Sequence, residues 1–163
     1  MALIYETENF TVEAPARPHV SREEGGHIKV AIKDRSITDR TKLSPKQATE
    51  LTRLTMIVGQ ALEAAMNKRG VPVIKINYQD MGNWSYKEGK SHYMHYHIYG
   101  RVLGAKNQPF PESVYLPDRS TGFFDNFKPL NDDDIAEIKN QIDRVAADEK
   151  YIEFQKIIDQ IEE

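Results

Sequence analysis

Apolar and polar residues alternate one for one in two stretches near the start of the chain, "NFTVEA" at 9–14 and "HIKVAIKD" at 27–34. Side chains along a strand point to opposite faces in turn. Ile28, Val30 and Ile32 therefore face one way and Lys29, Ala31 and Lys33 the other, which predicts a sheet with one buried face. "REEGGH" between the two stretches reads as a turn.

After residue 44 the period changes. Leu51, Leu54, Val58, Leu62 and Ala65 recur every three or four positions, the apolar stripe of a helix. Ser44 is placed as its N-cap, Pro45 as its first residue and Gln47 as the partner in a capping box. "NKRGVP" ends it with two cations, a glycine and a proline.

Alternation returns over 71–79 and again over 91–103, where Gly104 stops it. The polar loop "DMGNWSYKEGKS" between them predicts an antiparallel pair. Residues 105–131 are irregular and contain four prolines. Asn131 and three aspartates then open a second helical region. Ile135, Ile138, Ile142 and Val145 form its stripe, "AADEK" interrupts it, and Tyr151, Phe154, Ile158 and Ile161 resume it, as two helices or one kinked helix. The pattern predicts an α+β fold: an antiparallel sheet of about five strands, a long helix on one face, and a helical C-terminal extension. Residues 1–110 are read as the main domain, with 111–163 a loop and helical extension packed on it.

Composition narrows the function. With 163 residues, 39% hydrophobic and 29% charged, the chain suits one globular domain. A net charge of −3 gives no basic field for wrapping nucleic acid, although a local cluster of donors can hold a small nucleotide. The absence of cysteine removes disulfides, thiolate nucleophiles and cysteine-based zinc sites. No apolar run reaches the roughly 20 residues that span a bilayer, and no leader pattern opens the chain, so no membrane partner and a cytoplasmic location are expected.

Three of the five histidines fall in "HYMHYHIYGR", residues 92–101. On a strand, Tyr93, His95, His97 and Tyr99 share one face, while His92, Met94, Tyr96 and Ile98 take the other. The apparent triplet is thus a pair of imidazoles about 7 Å apart. Three readings fit such a pair: a polar sheet face, a metal site completed by a carboxylate or His27, or nucleophilic catalysis by a neutral imidazole.

The segment resembles the signature of the histidine triad (HIT) family of nucleotide hydrolases and transferases, in which three histidines alternate with apolar residues. Here it runs Tyr93-Met94-His95-Tyr96-His97-Ile98-Tyr99, with Arg101 following. The resemblance extends upstream through "GGHIKVAIKD", the helix start "LSPKQATEL" and the strand holding Asn77, and covers roughly residues 8–103. It implies His95 as the nucleophile, His97 beside the phosphate, Asn77 and Ser91 as phosphate-binding groups, and Tyr93 as a supporting group in place of the first histidine. The family's acidic ribose contact has Glu13 as its nearest counterpart. The implied reaction is cleavage at the α-phosphorus of a nucleotide conjugate, a dinucleoside polyphosphate or a nucleoside phosphoramidate, through a covalent nucleotidyl-histidine. No metal is required for the covalent step, and Mg²⁺ is expected at most as a companion of the substrate. A homodimer is also implied. The alternative, set by Tyr93, is a nucleotide-binding or interaction protein with weakened catalysis. Tyr115, Arg119, Phe123, Phe124, Phe127 and Lys128 either lie beside the pocket or plug the sheet edge.

Overall fold

The computed structural model describes residues 1–162; Glu163, the last residue of the expected extension, lies outside them. Five strands form one antiparallel sheet in the order β1-β2-β3-β5-β4: β1 Ala2–Glu6, β2 Phe10–Ala14, β3 His27–Ile32, β4 Lys75–Asp80 and β5 His95–Arg101. The fold is α+β, as the alternation predicts. β1 has no alternating signature, and its pairing slips between Leu3 and Tyr5. Residues 71–74 and 91–94 lie outside the ladders, so both C-terminal strands are shorter than their patterns.

Helix α1, Pro45–Lys68, begins at the expected capping box: Gln47 N donates to Ser44 Oγ, and Ser44 N to Gln47 Oε1. The capping residue satisfies helix donors that have no partner of their own. All five stripe residues are buried in the main core with Ile28, Val30, Ile32, Met94 and Ile98. Each such leucine burial contributes about 1.5–3 kcal/mol. A single turn of helix, α2 (Trp84–Lys87), lies within the loop that reads as merely polar.

The chain end forms two helices, α3 Asp132–Ala146 and α4 Glu149–Asp159, rather than one kinked helix. Asn131 caps α3, and Asp134 reaches back to the Asn131 N–H while accepting both Nε and Nη2 of Arg22 and Nε of Arg69. Ile138 and Ile142 join the same core as α1. No helix among the described residues is long and apolar enough to cross a membrane.

Strand β3 departs from the simple alternation, because all six of its residues are buried. One face meets α1. The other is covered by the chain around His19 and by the segment that follows β5. Glycine makes the crossing possible: Gly25 has φ +124°, and a Cβ there would lie 2.2 Å from the Gly100 carbonyl oxygen.

Candidate functional site

Strand pairing builds the site. His97 stands opposite Lys29 on β3 and Gln79 on β4, while Tyr99 stands opposite His27 and Asn77. Residues directly opposite share a face, so the sheet face away from α1 collects His27, Lys29, Asn77, Gln79, Tyr93, His95, His97 and Tyr99. A cavity of about 270 Å³ opens there, lined among others by His19, Trp84, Ser91, Tyr93, His95 and His97.

His95 Nδ1 lies 2.8 Å from the Tyr93 carbonyl oxygen. A carbonyl can only accept, so Nδ1 carries the ring proton and Nε2 keeps its lone pair. Burial lowers the pKa of His95; the Tyr93 carbonyl opposes this, and the Lys29 charge adds to it. The neutral nucleophilic form is therefore the one the surroundings favour.

His97 is ordered by a chain of hydrogen bonds. The His19 backbone N–H donates to His27 Nδ1 at 3.1 Å, which leaves the His27 proton on Nε2. That Nε2–H then donates to His97 Nδ1 at 2.9 Å, so the His97 proton sits on Nε2. Both rings are held well below the ordinary imidazole range, first by burial and then by neighbouring imidazoles. A second proton on His97 would have to enter at Nδ1, where His27 already points one. His97 is thus a neutral donor of one hydrogen bond, not an imidazolium.

His19 completes the cluster, stacked on His27 with ring centroids 4.7 Å apart. Its pKa is lowered to about 4 by burial and then by the Arg119 charge. Its Nδ1 lies 2.8 Å from the Tyr99 hydroxyl. Burial pushes that phenol far above its usual range, so it stays protonated and the contact is a bond between two neutral groups.

Nitrogen atoms of His19, His27 and His97 approach within 4.8 Å of one another, which raises the question of a metal. The donor set does not fit one. A metal on His27 Nε2 needs the proton moved to Nδ1, against the incoming His19 N–H. The His19 backbone N–H and the rings of His27 and His97 form a proton-ordered chain instead, with the His19 ring stacked on it.

The other expected residues are placed as follows. Ser91 lines the cavity and is exposed. Asn77 shares the face but is not among the lining residues; its Oδ1 accepts from Arg101 Nη1 at 2.7 Å. Arg101, 1% exposed, also donates to the carbonyls of Gln108, Pro109 and Glu112, which folds the following chain back over the sheet. Glu13 is paired with Lys29 at 3.1 Å. His92, which alternation sends to the opposite face, lines the cavity and stacks on Tyr86, because β5 begins only at His95.

Of the segment after β5, none of the six expected residues is among those lining the cavity. Phe123, Phe124 and Phe127 pack on one another, yet Leu116 lines the cavity and Phe124 touches the His19 ring. Arg119 lies over both Trp84 and Phe124.

No protein-family model matches the sequence, and no curated protein does. Solved structures match over most of the chain. A histidine triad protein from Sinorhizobium meliloti covers 88% of this chain and 87% of its own, with TM-score 0.61 and 18% identity. The chain has the histidine triad fold. A zinc-bound histidine triad family protein from Mycobacterium smegmatis aligns over 89% of this chain and 86% of its own, with TM-score 0.56 and 18% identity. A hypothetical histidine triad nucleotide-binding protein from Sulfolobus tokodaii aligns over 88% and 85%, with TM-score 0.55 and 16% identity. Beside the two histidines of β5, His27 and His19 supply two further imidazoles from outside that strand.

Proposed function

We propose that the chain is a nucleotide hydrolase or nucleotidyl transferase acting at the α-phosphorus of a dinucleoside polyphosphate or nucleoside phosphoramidate. The observation that carries this reading is the His95–Tyr93 carbonyl bond, which leaves Nε2 free as the nucleophile beside the cavity. The nucleotide-binding description of the Sulfolobus tokodaii protein supports the ligand class.

Nε2 of His95 attacks phosphorus, and the leaving group departs with the electron pair of its bond to phosphorus. The proton stays on Nδ1 and is donated to the Tyr93 carbonyl, which shares the charge of the nucleotidyl-imidazole. The Nε2–H of His97 meets charge on the phosphorus oxygens, with Ser91 and Asn77 as further phosphate-binding groups. Water then attacks phosphorus, the P–N bond breaks, and a nucleoside monophosphate leaves. Mg²⁺ enters only with a polyphosphate substrate.

Incubation with diadenosine polyphosphates and adenosine phosphoramidate should release AMP, and an AMP adduct should be visible in the intact mass. His95→Ala should abolish release and adduct while still binding nucleotide. AMP release by that variant at the wild-type rate would show that His95 is not the nucleophile. The second reading, a nucleotide-binding protein with weakened turnover, is favoured by Tyr93 alone; AMP binding without release would select it. We further propose a homodimer, supported by the exposed Ile74 and Tyr78 at the free edge beside β4. A monomer mass in light scattering would remove it.

A further inference from the structure

Glu13, Lys29 and Tyr93 form a connected row beside His95 that the reaction above does not use. Lys29 Nζ donates to the Tyr93 hydroxyl at 3.0 Å and pairs with Glu13 Oε2 at 3.1 Å. Glu13 Oε1 in turn accepts from Thr11 Oγ1. Lys29 is only 7% exposed, so its stem is fixed in the sheet and its head has little choice of partner. The Arg35 guanidinium lies 3.8 Å from the Tyr93 ring centroid and holds the ring from the other side. Tyr93 and His95 have centroids 5.0 Å apart, and both line the cavity.

We propose that Lys29 is a positioning residue that makes the Tyr93 hydroxyl a fixed hydrogen-bond donor to a phosphate oxygen of the nucleotide held beside His95. An ammonium has donors and no acceptor, so the Tyr93 oxygen must accept from Lys29. Its own proton is then left for a different acceptor, and a phosphate oxygen supplies one. An imidazole at this position would meet the Lys29 ammonium as a competing cation when protonated, whereas a phenol accepts it without change of charge. Lys29 and the tyrosine thus belong together, and the pair fills the place of the missing first histidine. This inference rests on the nucleotide reading above and adds the groups that recognise the phosphate.

The test is AMP binding by titration calorimetry, with melting temperature recorded for every variant. Tyr93→Phe, which leaves the Lys29–Glu13 pair intact, should weaken AMP binding about tenfold, the loss of a hydrogen bond to a charged oxygen. Lys29→Met combined with Glu13→Gln, which avoids stranding a buried carboxylate, should weaken it by a similar factor. All three changes together should cost no more than either alone, because the lysine acts through the hydroxyl. Lys29→Arg should restore binding.

A second readout needs no nucleotide. The charged and titratable groups facing His95 are Lys29 and Arg35 from the β3 side, Asp80 from β4, His19 from the chain before β3, His97 on its own strand and Tyr93 just before it. Removing Lys29 takes away a charge that opposes protonation, so the His95 titration followed by NMR should move upward, and Tyr93→Phe should leave it in place. Wild-type affinity in the lysine variant, or losses that simply add, would overturn the proposal. A wild-type protein that binds no AMP would overturn the nucleotide reading and this proposal with it.

Discussion

Arg22 and His27 lie five residues apart on the run of chain leading into β3, yet each anchors a buried polar cluster of opposite kind. Around Arg22 everything is charged. Asp134, fully buried, accepts two bonds from Arg22, one from Arg69 and the Asn131 N–H. Burial opposes its charge, but Arg22, Asn131 and Arg69 outweigh that and hold the carboxyl below its ordinary range. Around His27 nothing need be charged: burial keeps three imidazoles neutral, and the protons of His27 and His97 are ordered by direction rather than by counter-ions. A compensated charge can only join elements together. A neutral imidazole with one proton and one lone pair keeps a choice of roles, and chemistry needs that choice.

The strongest way to break this contrast is Asp134→Ala, which strands two arginines. It should cost about 3–5 kcal/mol, read as a lowered urea midpoint, while the folded fraction keeps its activity per molecule. Loss of specific activity beyond the loss of folded protein would show that the two clusters are coupled. His27→Leu removes the partners of the His19 N–H and of His97 Nδ1. It should cost about 1–3 kcal/mol and, unlike the first, sharply lower AMP release from fully folded protein, because His97 no longer has a fixed tautomer.

Acid sharpens the comparison. Below pH 6.5, the ordinary imidazole value, an unfolded chain takes up protons that the folded cluster refuses. Stability is therefore full above that pH and drains below it, by about 1.4 kcal/mol per pH unit for each imidazole held neutral. For His19 the drain continues down to about pH 4. Asp134 contributes in the same direction but lets go only below the ordinary value of 3.8. Melting temperatures of wild type and His19→Phe should therefore converge as the pH falls from 6.5 to 4, and parallel curves would contradict it. The smallest change is Tyr99→Phe, which removes one hydrogen bond to His19 and should cost about 1 kcal/mol with little effect on turnover.

The parts legible in the sequence are those with local causes. Ser44, Pro45 and Gln47 announce α1 because a capping box closes within four residues. Period-two alternation is enough to put Tyr93, His95 and His97 on one face. His19 was not legible, because "PARPHVSREE" has no period and the residue reaches the site through tertiary contacts alone. One signal was available: with five histidines in the chain, one lies eight residues before His27, across a glycine pair. His27 was visible only as a metal ligand, since the partner that sets its proton is a backbone N–H no pattern reveals. His92 misled for the opposite reason, as alternation was extended three residues past the point where pairing begins.

The hydrogen bonds of the imidazole cluster join residues separated in sequence by 8, 70 and 80 positions. A ribosome that has delivered residues 1–92 has therefore released His19 and His27 with neither His95 nor its neighbour His97. Leu116, which lines the cavity, and Phe124, which touches the His19 ring, come later still. Growing chains and truncated products carry these histidines without the arrangement around them, so the proposed chemistry waits until synthesis has passed the far side of the site.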